Sequence, residues 1–196
     1  MNVLYRASIG DAISKYSPDV FIHCAAVVTD TDGASALEVN IVGTVNVVLA
    51  CQTFNVKLIY ISTDQVYPES TASHFENAPV LPWTRYAWTK LGGECAVRTY
   101  ENSLIVRGAL CPRPYPHQQA YTDVRKNMIY QDTAAEFILR LLDTSGVVNL
   151  GESRARSLYE FAKDTRPDVR PETSPAEYRP KYSCLSTEKL KRSLSS

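Results

Sequence analysis

The chain has 196 residues, enough for one well-buried domain, or one domain with a small cap. It is 44% hydrophobic and 21% charged, an ordinary globular composition. The 21 Lys and Arg balance the 21 Asp and Glu, which leaves no general electrostatic attraction for nucleic acid or an acidic membrane.

In chain order, "MNVLYRASIGD" has no basic stretch followed by an apolar one, so it does not read as a signal peptide. "DVFIHCAA" (19–26) is a short continuous apolar run after Pro18, as expected of a strand buried on both faces of a parallel sheet. From Ala34 to Phe54, apolar residues Leu37, Ile41, Val45, Val48 and Leu49 recur at three- and four-residue steps and predict a long helix. No run reaches the roughly 20 apolar residues of a membrane span. "VKLIYIS" (56–62) predicts a second buried strand, and Thr84 can cap a helix running to about Tyr100. "SLIVRGA" (103–109) predicts a third strand. This alternation predicts a doubly wound, Rossmann-like α/β sheet.

The character changes at Cys111. Residues 111–127 are rich in Pro and polar groups and predict a loop. Asp132 opens a helix that Gly146 is expected to end. "VVNLG" predicts a short strand, Ser157 can cap "SLYEFAKD", and 165–182 predict an irregular surface run. "STEKLKRSL" looks like a helix start.

Five cysteines (24, 51, 95, 111 and 184) form no CxxC, and their odd number argues against a complete disulfide framework. Cys24 and Cys51 lie in apolar runs, where Cys behaves as a small hydrophobe. The three histidines have no metal-like spacing, and no metal is expected. The expectation is a reduced, cytoplasmic protein.

The stretch with chemistry is residues 61–90. The strand ends in Ser62 and Thr63, and Tyr86 and Lys90 follow across a loop. An i, i+4 pair lies on one helix face. An ammonium beside a phenol favours the phenolate, and ligands of parallel sheets sit at the carboxyl ends of strands. Tyr86, Lys90 and Thr63 thus suit a general acid/base that moves a proton on or off an alcohol. The spacing recurs at Tyr159 and Lys163, but there Leu158, Phe161 and Ala162 read as the core face of a short helix.

"PDVFIHCAA", "VNIVGTVNV" with Asn40, "YISTDQVY", "YAWTKLGGE" with Glu94, "LIVRGALC", "IYQDTAAEFILRLL" and "GVVNLGES" resemble, in order, the extended short-chain dehydrogenase/reductases, and within them the dTDP-4-dehydrorhamnose reductase branch. The resemblance implies NAD(P)H-dependent reduction of a nucleotide-4-keto-sugar, with Tyr86 as proton donor, Lys90 lowering its pKa and binding nicotinamide ribose, and Thr63 holding the carbonyl. It implies Ala25, Ala26, Ser62, Lys90 and Arg107 at an NADP or NAD cofactor, and Arg113, Tyr121 and Arg125 at the sugar nucleotide. It divides the chain into a partial NAD(P)-binding half (1–110) and a nucleotide-sugar-binding portion (111–196).

The Gly-rich strand-turn-helix that opens this family has no counterpart here, and Thr29–Glu38 looks shortened. A truncated fold with weak NAD(P)H binding is therefore expected, with an open edge at "DVFIHCAA". A homo-oligomer and a second chain supplying the missing half both stay open. A non-catalytic binding or regulatory subunit and an NAD-dependent sugar epimerase or dehydratase are the alternative functions.

Overall fold

A computed structural model describes residues 1–28 and 34–195. The first part of the shortened-looking segment, 29–33, lies outside the described residues. Contacts group the chain into two compact units: 1–62, 84–106 and 144–147 form the first, and 63–83, 107–143 and 148–196 the second.

In the first unit, helix α1 (Arg6–Tyr16) precedes strand β1 (Val20–His23). A continuous helical stretch, Ala34–Phe54, follows. It comprises α2 (Ala34–Leu37), a π-helical segment (Glu38–Gly43) and α3 (Thr44–Phe54), which ends at Asn55 in the left-handed region (φ 53°). By length and composition this stretch could cross a membrane, contrary to the sequence expectation. Its residues Val47, Val48, Ala50 and Cys51 instead join the core of the unit. Strand β2 (Lys57–Ile61) pairs in parallel with β1, His23 standing beside Tyr60. Beyond a turn and a short strand β3 (Ser70–His74) of the second unit, α4 (Arg85–Val97) starts as expected, with the Thr84 side chain accepting the Ala87 N–H. Strand β4 (Ser103–Cys111) pairs in parallel with β2 through its first residues. Ile9, Ile13, Leu58, Tyr60, Val97 and Ile105 complete the core.

Two expectations fail here. β1 is four residues long and pairs with β2 at one end of the strand order, so it is not buried on both faces, and Ile22 is 40% exposed. Cys24, just beyond that short strand, is exposed, whereas Cys51 is fully buried.

In the second unit the far half of β4 pairs in parallel with β7 (Met128–Tyr130). The stretch expected to be loop contains β5 (Gln119–Tyr121) and β6 (Arg125–Lys126). Helix α5 (Gln131–Leu139) ends at Arg140, not Gly146; Gly146, at φ 86°, instead opens β8 (Gly146–Leu150), which pairs with β4. A left-handed backbone there suits glycine. β9 (Arg156–Ser157) leads into α6 (Leu158–Ala162), closed by a reciprocal Ser157–Glu160 capping box. The run expected to be irregular carries β10 (Arg170–Glu172), paired with β5, and ends in β11 (Tyr182–Leu185), which stands between β3 and β6. α7 (Glu188–Ser195) closes the described chain. Tyr115, Tyr130, Phe161, Ala162 and Val169 form this unit's core, with Tyr130 and Phe161 stacked at 4.3 Å.

Candidate active site

In the first unit the carboxyl ends of β1 and β2 lie side by side, the position at which parallel sheets bind ligands. α4 approaches this edge closely. A Cβ on Gly93 would come within 2.4 Å of the Tyr60 hydroxyl and 2.7 Å of the Asn40 carbonyl, so only glycine permits that approach. Tyr86 is half-buried one turn before Lys90, which is 1% exposed. The Lys90 ammonium lies 4.1 Å from the centroid of the Tyr60 ring, and the Tyr60 hydroxyl donates to the Lys90 carbonyl at 3.2 Å. Burial lowers the Lys90 pKa to about 8, against the opposing pull of Glu94 and Cys24. Burial holds His23 at about 4, assisted by the Lys90 charge.

Ser62 does not point its hydroxyl at open space: it donates to Glu94 Oε1 at 2.5 Å, and both residues are buried. Asn40, in the π-helical segment, holds the loop after β1 at two points. Its Oδ1 accepts the Val27 N–H (2.8 Å) and its Nδ2 donates to the Val27 carbonyl (2.9 Å). The same Nδ2 donates to Thr89, between Tyr86 and Lys90 on α4. Ala25 is exposed and Ala26 half-buried in this tethered loop. Small side chains on a fixed backbone at a sheet's carboxyl edge, with an ammonium nearby, fit a nicotinamide nucleotide, and Lys90 and the Ala25–Ala26 backbone are the groups that would hold it.

In the second unit, Thr63 caps a 3-10 turn, Asp64–Val66, its hydroxyl accepting the Gln65 N–H. Arg107 is 1% exposed and donates to the Tyr67 hydroxyl (2.8 Å) and to the Glu76 carbonyl (3.4 Å). Arg113 is ion-paired with Asp132 at 2.6 Å, lies over the Tyr130 ring, and lines a cavity of about 470 Å³ with Arg154 and Lys191. Tyr121 lines a different groove, of about 560 Å³, with Tyr115 and Tyr178. Arg125 reaches Glu160 and the Ala155 carbonyl. The three residues expected at the sugar nucleotide thus stand in three settings. Tyr159 and Lys163 form the second spacing pair on α6, whose Phe161 and Ala162 are buried as expected.

Sequence reasoning missed a buried ion pair, Asp64 with Lys126 at 3.3 Å, beside Thr63. Its partners are far apart in the chain, and no local pattern announces it.

The chain is similar to dTDP-4-dehydrorhamnose reductase of Streptomyces griseus, at 33% identity over 102 residues, which are 50% of this chain and 34% of that protein. It is also similar to methionine adenosyltransferase 2 subunit beta of Xenopus laevis, at 30% over 112 residues, 55% of this chain and 34% of that one. The matches thus span about a third of the length of these relatives. In structure it resembles dTDP-4-dehydrorhamnose reductase of Bacillus anthracis in complex with NADP, with a TM-score of 0.87 and 24% identity, covering 98% of this chain and 79% of that one. That likeness shows the fold, a Rossmann-like α/β architecture. The model of the RmlD substrate binding domain matches residues 1–127. The chain belongs to that family, the dTDP-4-dehydrorhamnose reductase-like branch of the extended short-chain dehydrogenase/reductases.

Proposed function

We propose that this chain carries the proton-transfer machinery of a nicotinamide-dependent reductase of nucleotide-4-keto-sugars. The carrying observation is Lys90: a lysine one turn from Tyr86, buried at the carboxyl edge of the sheet, with its pKa drawn down to about 8. Burying an ammonium costs stability unless it is paired and hydrogen-bonded, and a functional role is a reason to bear that cost. Beside a phenol it favours the phenolate that remains once Tyr86 has given its proton to the C4 carbonyl oxygen. Thr63 donates a hydrogen bond to that oxygen. A bound nicotinamide supplies the hydride. Ala25 and Ala26 offer backbone to the cofactor, and Ser62 and Arg107 are proposed to bind it as well, within residues 1–110. Arg113, Tyr121 and Arg125, within 111–196, are proposed for the diphosphate and base, since guanidinium groups suit diphosphates.

In the full-length protein, Tyr86→Phe should lower kcat on a nucleotide-4-keto-sugar with NADPH or NADH by about 10²-fold, the scale of lost general acid catalysis. Tyr159→Phe, the same spacing on a core helix, should leave kcat nearly unchanged. Equal turnover by Tyr86→Phe and the parent would sink the assignment.

The likeness to a methionine adenosyltransferase subunit favours a second reading, a binding subunit that does not catalyse. Under it a nucleotide-sugar or a partner chain stabilises the fold without nicotinamide. At a hundred times its dissociation constant, such a ligand adds about 2.7 kcal/mol. That stabilisation together with an indifferent Tyr86→Phe would select it.

A further inference from the structure

Thr63 has one hydroxyl proton. Its oxygen accepts the Gln65 N–H at 3.3 Å and donates to Asp64 Oδ1 at 3.2 Å. To donate to a carbonyl instead, it must be released by that carboxylate. An unopposed carboxylate would hold it firmly, because hydrogen bonds to ionised acceptors are the strong ones. Behind Asp64 stands Lys126, its Nζ 3.3 Å from Oδ2, with the two side chains 2% and 7% exposed. Among the described residues Oδ2 accepts no hydrogen bond, and the ammonium stands beside it as an ion pair. Lys126 is fixed by β6, where it stands opposite Ser183 of β11, and the Ser183 hydroxyl donates to the Asp64 carbonyl at 3.3 Å. One pair of strands thus holds both the Asp64 backbone and the ion beside its carboxylate. Stability does not account for a buried pair, since desolvation cancels most of its attraction.

We infer that Lys126 is a positioning residue that, by drawing the charge of Asp64, frees the Thr63 hydroxyl to donate to the substrate carbonyl. The inference rests on the reductase reading for its effect on turnover, though not for its effect on the Thr63–Asp64 bond. In the full-length protein, Lys126→Met should lower kcat about tenfold with KM within about twofold, and Lys126→Arg should restore most of the loss. In a Thr63→Val background Lys126→Met should cost nothing further; an undiminished loss there overturns the inference. Where Lys126→Met alone fails to fold, Asp64→Asn with Lys126→Met removes both charges. It should turn over at least fivefold faster than Asp64→Asn with Lys126→Met and Thr63→Val, since a neutral amide oxygen holds the hydroxyl less firmly than a carboxylate; equal rates overturn the inference. A parent with no reductase turnover would remove the reductase reading alone. Urea midpoints then decide: Thr63→Val should shift the midpoint more in Lys126→Met than in the parent, or, in Asp64→Asn with Lys126→Met, less than in the parent. Equal shifts overturn the inference.

Discussion

His23 shows how one buried side chain sets a pH limit on the fold. It is 2% exposed, its Nε2 lies 3.0 Å from the Thr44 hydroxyl, and its pKa falls from 6.5 to about 4 through burial and then the Lys90 charge. The folded state therefore binds this proton less readily than the unfolded one. Its contribution is fully present above pH 6.5 and is lost as pH falls through 4. A fall of that size corresponds to about 3 kcal/mol. The carboxylates whose values are lowered, Asp123, Asp132 and Glu160, begin from 3.8, 3.8 and 4.5, so among the described residues the window from 6.5 down to about 4.5 belongs to His23. Unfolding midpoints in urea should fall with pH across that window, and His23→Gln should flatten the slope there. An unchanged slope in the variant would contradict this account. Lys90 acts at the other end: with its pKa lowered to about 8, the unfolded chain binds its proton more readily, and stability from this group grows from pH 8 to 10.5. None of this shows in the sequence, where His23 is one more residue of an apolar run. Tyr86 and Lys90, by contrast, are legible, because a four-residue spacing fixes their common face whatever surrounds them.

Among the elements, α4 is the one most fully written in local sequence. Thr84 caps it as expected; Ala87 and Val97 are buried on it, together with Thr89, Lys90 and Glu94, while Trp88 is 52% exposed. The π-helical segment at Glu38–Gly43 was not legible, since an extra residue in one turn leaves the apolar steps of the long helix nearly intact. The two elements meet at Gly93 and Gly92. A Cβ at Gly92 would stand 2.7 Å from the Ile41 side-chain tip, which can move, whereas Gly93 faces the backbone carbonyl of Asn40. Gly93→Ala should therefore destabilise the protein by about 1–3 kcal/mol, the usual cost of overpacking. Gly92→Ala should cost less. Thermal melts of the two variants check the order, and reversed costs would mean the close approach is misassigned.

At the scale of the whole chain, the strand-helix alternation was legible because long apolar runs carry it. β5, β6 and β10 were not: "QAY", "RK" and "RPE" are two or three residues each, mostly polar, and pair only because distant strands lie beside them. The edge at β1 is a property of the assembled sheet. Among the described residues β1 pairs with β2 alone, and Ile22 on it is 40% exposed. Unpaired edges with apolar side chains invite pairing with a second copy. Light scattering should show concentration-dependent association that Ile22→Lys reduces; a monomer at all concentrations would count against it.

Strand β4 has a further consequence. Leu104, Ile105 and Val106 pair with β2 in the first unit, while Ala109, Leu110 and Cys111 pair with β7 in the second. One strand therefore reports on both. Amide hydrogen exchange along it reads the opening free energy of each unit within nine residues. Uniform protection would mean the units open as one cooperative body, and a step between Val106 and Ala109 would mean each opens by itself.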